Sequence, residues 1–160
     1  MKRLLPVIIG LLFMLHSKKT WAIPNSGYKY APVFAEAERQ YNIPPNLLAR
    51  VAYQESRFRP DIITGQTQSP AGAQGIMQIV PRWHPDAEPL NPTKAIPYAA
   101  NYLRQLKNQF GTWEKALAAY NWGPGNLQKA INKEPTSWKQ FLPKETRDYI
   151  GQISSDIQLA

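Results

Sequence analysis

A chain of 160 residues can form one compact domain with its own apolar core, since a domain of this size buries about 70% of the surface that its unfolded chain exposes. The lack of cysteine excludes disulfides, thiol nucleophiles and zinc sites with thiolate ligands, and two histidines are too few for a multi-histidine metal site, so we expect no metal and no cofactor. The formal net charge of +8 raises the question of nucleic-acid binding.

The first 22 residues have the pattern of a secretory signal peptide. Two cations precede a mostly apolar run over 4–15, and Ala22 supplies a small residue at the expected cleavage site. This run is shorter than the roughly 20 residues that span a bilayer as a helix. We therefore predict a signal peptide over 1–22, export to the periplasm, a domain over 23–160 and no stable membrane span after cleavage. A buried first helix or an uncleaved anchor is the alternative.

The position of the basic residues argues against nucleic acid as a partner. Cleavage after Ala22 would lower the count of Lys and Arg from 19 to 15 against 11 acids, which leaves a net charge of +4. The remaining cations form no block of the kind that follows a phosphate backbone. We predict an anionic envelope polymer, and no nucleic acid, as the partner.

Apolar residues after the leader recur at helical spacing, with no sustained alternating run, so we predict an all-α domain of several short helices. In chain order the predicted helices cover 31–41, about 46–55, 70–80, 92–110, 113–122, 126–131 and 143–157.

Capping residues and prolines set several of these boundaries. Ser69 and Pro70 have the residue types of an N-cap and a first helical position, and Thr112 can cap the helix that follows Gly111. An interruption of the long helix at Pro97 is left open.

Glu55 follows Val51 by one turn of the second predicted helix, at the edge of its apolar face. Apolar surroundings would raise the pKa of this carboxyl, and a proton retained near neutral pH suits a general acid that protonates a glycosidic oxygen. On position alone, a solvated residue paired with Arg57 or Arg59 is the more common case.

Four segments favour the general-acid interpretation of Glu55 over the solvated one. They are "ESRF" at 55–58, "SPAGAQGIMQI" at 69–79, "ALAAYNWGPG" at 116–125 and "PKETRDYI" at 143–150. In their order and approximate spacing they resemble the lytic transglycosylase domain of the soluble (SLT), goose-lysozyme-like type, over roughly 31–150. The resemblance implies a lysozyme-like α-helical domain that cleaves the β-1,4 bond between N-acetylmuramic acid and N-acetylglucosamine in peptidoglycan.

The resemblance also implies a set of site residues, with Glu55 as the catalytic glutamate. Gly75 would admit the sugar close to the backbone, and Met77 and Gln78 would line the cleft. The implied substrate-binding residues are Ser56, Ser69, Gly75, Met77, Gln78, Tyr120, Asn121 and Tyr149.

Several of these residues have a structural alternative. Ser69 is explained by helix capping alone, and Met77 by tight helix packing. Tyr120 continues an apolar helical stripe that begins at Trp113, and Tyr149 could be a helix-face aromatic packed on the core.

The implied mechanism uses Glu55 twice. It protonates the leaving oxygen and then, as a carboxylate, takes the proton of the muramoyl C6 hydroxyl, which closes a 1,6-anhydro ring without water. The alternatives are a hydrolytic muramidase with Asp61 as a second carboxylate, and an envelope-binding scaffold without activity. By analogy with small single-domain transglycosylases, we expect local wall opening for a secretion or conjugation machine.

Two segments depart from the family pattern. Residues 61–68 lengthen a loop beside the predicted cleft, and 81–92 replaces the family's usual segment. In the second segment Trp83 and His84 could stack on sugar faces or fill the loop, and filling is favoured slightly. No catalytic role is expected for His84.

Overall fold

The computed structural model describes residues 21–157 and 159, and residues 1–20 of the predicted leader lie outside the described residues. The described residues form α-helices and short 3-10 helices and contain no strand, which confirms the predicted all-α class. The α-helices are α1 (Ala31–Gln40), α2 (Leu47–Ser56), α3 (Pro60–Ile63), α4 (Pro92–Phe110), α5 (Trp113–Trp122), α6 (Pro124–Lys133) and α7 (Lys144–Ser154). The 3-10 helices cover Asn25–Tyr30 and Trp138–Phe141.

Helix α5 lies at the centre of the domain and packs against α4, α6 and α7. Four successive residues from Ala116 to Ala119 are buried, although successive helical residues point about 100° apart, so α5 is covered on all sides. Alanine at three of these positions lets the neighbouring helices approach closely. The last turn of α5 therefore has a fixed position, and it carries Tyr120 and Asn121.

Local capping explains where the central helices begin and end. The Asn91 side chain accepts a hydrogen bond from the Thr93 N–H at 3.2 Å at the start of α4, and Gly111 ends this helix with φ of 86°. Thr112 then caps α5 by accepting from the Lys115 N–H at 3.2 Å. Pro97 does not interrupt α4, because buried residues on both sides of it hold the helix in the core.

The predicted helix over 70–80 is wrong. These residues form turns joined by one antiparallel bridge between Gln74 and Ile79. Gly72, Gly75 and Gln78 all have positive φ, a conformation that an α-helix cannot contain. The Ser69 hydroxyl oxygen is consequently no helix cap; it accepts from the Ala73 N–H at 2.9 Å and closes the first turn.

Other predicted boundaries differ by a few residues. Pro60, expected only to follow α2, begins the short helix α3. The "GPG" segment, expected as a turn, contains the start of α6 at Pro124, since proline fits the first position of a helix. Helix α7 ends at Ser154, three residues before the predicted end.

Trp21 packs against the domain although the predicted leader includes it. Its ring lies 4.9 Å from the Arg50 guanidinium, and its backbone N–H donates to Asp156 at 3.0 Å. Arg50 is buried in α2, forms an ion pair with Asp156 and donates to the Ile153 carbonyl oxygen at 3.1 Å. Hydrogen bonds, chiefly from Arg50 and then from the Trp21 N–H, lower the pKa of Asp156 to about 2. Cleavage after Ala22 would remove the Trp21 contacts.

None of the helices within the described part of the chain is both long enough and apolar enough to cross a membrane.

Candidate active site

Glu55 lies in the last turn of α2, and the buried Glu38 of α1 fixes the first turn of this helix. The Glu38 carboxylate accepts hydrogen bonds from the N–H groups of Asn46 and Leu48, both at 2.9 Å. It thereby satisfies N–H groups that a helix start leaves without partners. Burial raises the pKa of Glu38, and these hydrogen bonds oppose the rise.

Ser56 ends α2 and supports a tight turn. Its side chain is fully buried; the hydroxyl donates to the Ala52 carbonyl oxygen at 2.9 Å and its oxygen accepts from the Phe58 N–H at 3.2 Å. Arg57 and Phe58 have φ of 50° and 53°, a left-handed conformation that costs energy in residues other than glycine. The Ser56 hydroxyl thus stabilises the turn, and its contact with substrate remains a prediction.

The Glu55 carboxyl is half-buried beside α7, where the Tyr149 hydroxyl donates to its Oε1 at 2.7 Å. Burial raises the pKa of Glu55 from 4.5 to about 7, because removal from water disfavours the anion. The Tyr149 hydrogen bond opposes this rise, and the negative charge of Glu145 adds to it. Burial is the largest effect, so the expected rise in pKa is confirmed and much of the carboxyl retains its proton at neutral pH.

Tyr120 links α5 to the loop of residues 69–80. Its hydroxyl donates to the Met77 carbonyl oxygen at 2.9 Å. Burial, the charge of Glu55 and the neighbouring Tyr102 raise the pKa of Tyr120 well above its usual value, so it stays a neutral donor. Met77 contributes its backbone carbonyl oxygen here, its side chain is fully buried, and a role of this side chain in the cleft remains a prediction.

Asn121 is held by a residue that the sequence analysis did not select. The buried Thr146 of α7 donates its hydroxyl proton to Asn121 Oδ1 at 2.8 Å. This hydrogen bond orients the amide group and leaves its two N–H donors for another partner. The sequence contained a signal for this contact, since Thr146 precedes Tyr149 by three residues and therefore shares its helix face.

Gly75 makes room for protein backbone. It has φ of 73°, and a Cβ at this position would lie 1.8 Å from the Pro89 carbonyl oxygen. Pro89 thus occupies the space that a side chain at position 75 would need, and the approach of a sugar to Gly75 remains a prediction. The Gln78 side-chain amide donates to the Gly75 carbonyl oxygen at 3.0 Å and holds the same loop together.

Asp61 organises the lengthened loop over 61–68. Its carboxylate accepts from Arg59 at 2.7 Å and from the Thr67 hydroxyl at 2.8 Å. The Thr67 and Arg59 hydrogen bonds lower the pKa of Asp61, so this half-buried carboxyl remains an anion. These contacts give Asp61 a structural role in the loop.

Trp83 does not fill the loop in which it lies. Its side chain is 67% exposed, and the Arg82 guanidinium lies 4.4 Å from the ring centroid. The slightly favoured expectation of loop filling is thus wrong for Trp83, while His84 next to it is half-buried.

The structure thus brings part of the predicted set together. Glu55, Tyr149, Tyr120 and the Met77 carbonyl oxygen form one continuous site, with Asn121 following Tyr120 on α5. The side chains of Ser69 and Gln78 form hydrogen bonds within their own loop. Across the residues that the structure describes, no group of three or more His, Asp or Glu side chains could hold a metal ion.

Comparison with known proteins gives a family model and several relatives. Residues 32–141 match the family model described as the transglycosylase SLT domain. The chain is 34% identical over 138 residues to a membrane-bound lytic murein transglycosylase F of Hahella chejuensis, covering 72% of this chain and 25% of that protein. It is 35% identical over 112 residues to a transglycosylase of Enterobacteria phage PRD1, covering 60% and 40%.

A further relative is the soluble lytic murein transglycosylase of Escherichia coli, 26% identical over 144 residues, with 78% of this chain and 22% of that protein covered. The matched part of the chain thus spans less than half of the length of each of these three relatives.

Proposed function

The chain belongs to the transglycosylase SLT domain family, whose fold is lysozyme-like and all-α, and on this premise we propose that it is a peptidoglycan lytic transglycosylase. It cleaves the β-1,4 bond between N-acetylmuramic acid and N-acetylglucosamine without water, and Glu55 is its catalytic acid. The observation that carries this proposal is the half-buried Glu55 carboxyl, hydrogen-bonded to Tyr149 and with its pKa raised to about 7.

In the first step Glu55 acts as general acid. Its proton passes to the glycosidic oxygen as the bond from that oxygen to the muramoyl anomeric carbon breaks, and the N-acetylglucosamine side leaves with a free hydroxyl. A carboxyl with an ordinary pKa is almost fully ionised at neutral pH and could not donate this proton. The raised pKa of Glu55 therefore suits this step.

In the second step the same group acts as base. The Glu55 carboxylate removes the proton of the muramoyl C6 hydroxyl, and that oxygen forms a new bond to the anomeric carbon. Glu55 is protonated again, and no water is consumed. Because the nucleophile belongs to the substrate, its effective concentration is high and no second carboxylate is required.

Neighbouring side chains position these groups. Tyr149 fixes the carboxyl through Oε1 and stabilises its anionic form. Tyr120 holds the loop of residues 69–80 against α5 through the Met77 carbonyl oxygen. Asn121, oriented by Thr146, presents its amide N–H groups, which suit the acetamido or hydroxyl oxygens of a sugar.

We propose that a leader within residues 1–22 brings this enzyme to the periplasm, where the domain acts on glycan strands. Local wall opening for a secretion or conjugation machine remains our proposed role, supported by analogy with small single-domain transglycosylases. The mass of the N-terminal peptide of the exported protein would locate the cleavage site. A mature chain that still contains Trp21 would keep the contact between this ring and the Arg50 guanidinium.

The products distinguish the proposed reaction from its alternatives. Purified peptidoglycan treated with the protein should release muropeptides that are lighter by one water than the products of a muramidase, as mass spectrometry measures directly. Products that retain the water would identify a muramidase. A protein that binds peptidoglycan and releases nothing would fit the scaffold alternative.

The pH dependence should shift in opposite directions in two variants. Activity should fall as pH rises through about 7, because Glu55 then loses the proton that it donates. This fall is the alkaline limb of the pH–activity profile. Tyr149→Phe removes a hydrogen bond that lowers the pKa of Glu55, so the alkaline limb should move to higher pH. Glu145→Gln removes a charge that raises the pKa, so the limb should move to lower pH.

The measurement is the initial rate of muropeptide release between pH 4 and 10, fitted for each variant. Shifts of the same sign in both variants, or a limb that neither variant moves, would assign the limb to a group other than Glu55.

A further inference from the structure

We propose that His84, together with Tyr98 and Tyr102, forms an additional glycan subsite that continues from Glu55 along the loop of residues 81–91. This inference rests on the proposed function, because it assigns a further part of the same polymeric substrate. The ligand is the uncharged sugar chain, recognised by ring faces and by one imidazole N–H.

A row of partly exposed rings leads from the active site to His84. Tyr120, which lies close enough to Glu55 to be affected by its charge, is 6.0 Å from Tyr102 between ring centroids. Tyr102 is in turn 4.7 Å from His84, and His84 is 5.6 Å from Tyr98. This row of ring contacts gives the direction in which a strand held at Glu55 would continue to meet His84.

The position of His84 is fixed by the packing of its loop. Its backbone N–H donates to the Pro81 carbonyl oxygen at 3.1 Å, and its carbonyl oxygen accepts from the Ala87 N–H at 3.1 Å. Further along the loop, buried Pro89 lies against Gly75, and Leu90 lies against Gly65. These contacts hold the backbone at His84, and Tyr98 and Tyr102 contact its ring, so the side chain is preorganised for binding.

The contact with Tyr98 determines which hydrogen bond His84 can offer. His84 Nδ1 and the Tyr98 hydroxyl oxygen are 3.1 Å apart. When the hydroxyl donates, Nδ1 is the acceptor and the ring proton is on Nε2. Nε2 is then a donor, which suits the carbonyl oxygen of an N-acetyl group or a sugar hydroxyl.

The electrostatics favour a sugar over the peptide stems of peptidoglycan. Burial lowers the pKa of His84, so the ring is neutral at pH 7 and has no charge for a peptide carboxylate. Asp86 is close enough to raise the pKa of Tyr98, and its negative charge would repel such a carboxylate. Partly exposed aromatic rings and a neutral donor remain, and these suit the apolar face and the hydroxyl groups of an uncharged sugar.

Trp83 provides a contrast within the same loop. Its ring is 67% exposed and stacks with Arg82, and it makes no ring contact with Tyr98 or Tyr102 in the described part of the chain. The proposal therefore assigns the sugar contact to His84, and it predicts that the larger and more exposed Trp83 ring is dispensable.

The test measures binding in the Glu55→Gln background, so that the ligand is not consumed. The probe is glycan strands from purified peptidoglycan whose stem peptides have been removed, titrated by calorimetry. Adding His84→Ala should weaken binding about fivefold, which corresponds to about 1 kcal/mol. Adding Tyr98→Phe, which keeps the ring and removes the hydroxyl, should weaken it about twofold, and adding Trp83→Ala should leave it unchanged.

The outcomes separate this subsite from the proposed function. If the unsubstituted protein cleaves peptidoglycan while His84→Ala and Tyr98→Phe bind strands as tightly as their parent, the subsite is refuted and the enzyme assignment stands. Weaker binding only in Trp83→Ala would also overturn the subsite, because the contact would then lie on the exposed side of the loop. If the unsubstituted protein cleaves nothing and its Glu55→Gln variant binds no strands, both proposals fail.

Discussion

Glu55→Gln is expected to abolish muropeptide release and to leave the fold intact. Glutamine has nearly the same shape and can still accept the Tyr149 hydrogen bond, but it can neither donate the proton of the first step nor remove the proton of the second. General acid–base catalysis contributes about 10²–10⁴ in rate, so the loss should be at least of this size. The measurement is the rate of muropeptide release by mass spectrometry at matched protein concentration.

The same variant should be more stable than the unsubstituted protein at pH 8. The pKa of Glu55 is raised in the folded state, so between 4.5 and about 7 the unfolded chain binds fewer protons than the folded one. The free energy of unfolding therefore decreases as pH rises through this window. Glutamine does not titrate and avoids this loss. Urea unfolding of both proteins at pH 4 and pH 8 measures their free energies of unfolding. A variant that is less stable than the unsubstituted protein at pH 8 would indicate a disrupted site.

Asp61→Asn is the matched control for the Glu55 experiment. It removes a half-buried carboxylate that accepts hydrogen bonds from Arg59 and Thr67. We expect its rate to stay within a few-fold of the unsubstituted protein. Loss of activity in Asp61→Asn, with products that retain water, would instead support a hydrolytic mechanism with two carboxylates.

Gly75→Ala is expected to lower the stability of the fold more than any of the other substitutions. The added Cβ would lie 1.8 Å from the Pro89 carbonyl oxygen, a backbone atom that no side-chain rotation can move, and the residue would keep φ of 73°. Left-handed backbone costs roughly 1–2 kcal/mol and overpacking roughly 1–3 kcal/mol, so the free energy of unfolding should fall by about 2–5 kcal/mol. Chemical denaturation monitored by tryptophan fluorescence measures this change.

Gly72→Ala separates the two contributions. Gly72 has φ of 79°, but nothing lies within 4 Å of its added Cβ, so only the backbone cost of roughly 1–2 kcal/mol applies. An equal loss of stability in the two variants would mean that the Pro89 segment moves away freely. That result would also argue against a fixed His84, because Pro89 belongs to the same loop.

The sequence by itself determined the helical class and the elements whose causes are local. Helices α1, α2, α4 and α5 were predicted because apolar periodicity, proline and glycine positions and capping residues such as Asn91 and Thr112 act within a few residues of one another. The raised pKa of Glu55 was also predictable in direction, since its place at the edge of an apolar helix face implies burial. The roles of the site residues came from the four-segment resemblance, and they remain proposals.

The tertiary structure decided what depends on residues far apart in the sequence. Tyr149 reaches Glu55 across 94 positions, Tyr120 reaches Met77 across 43, and Thr146 reaches Asn121 across 25. No local pattern encodes such contacts, because they arise only when α2, α5 and α7 pack together. The helix predicted over 70–80 failed for the same reason. The residue types of this segment suit a helix start, but its contacts with Pro89 and Tyr120 favour turns with positive φ. Local propensity predicted the helices, and long-range packing determined the loops and the geometry around the carboxyl.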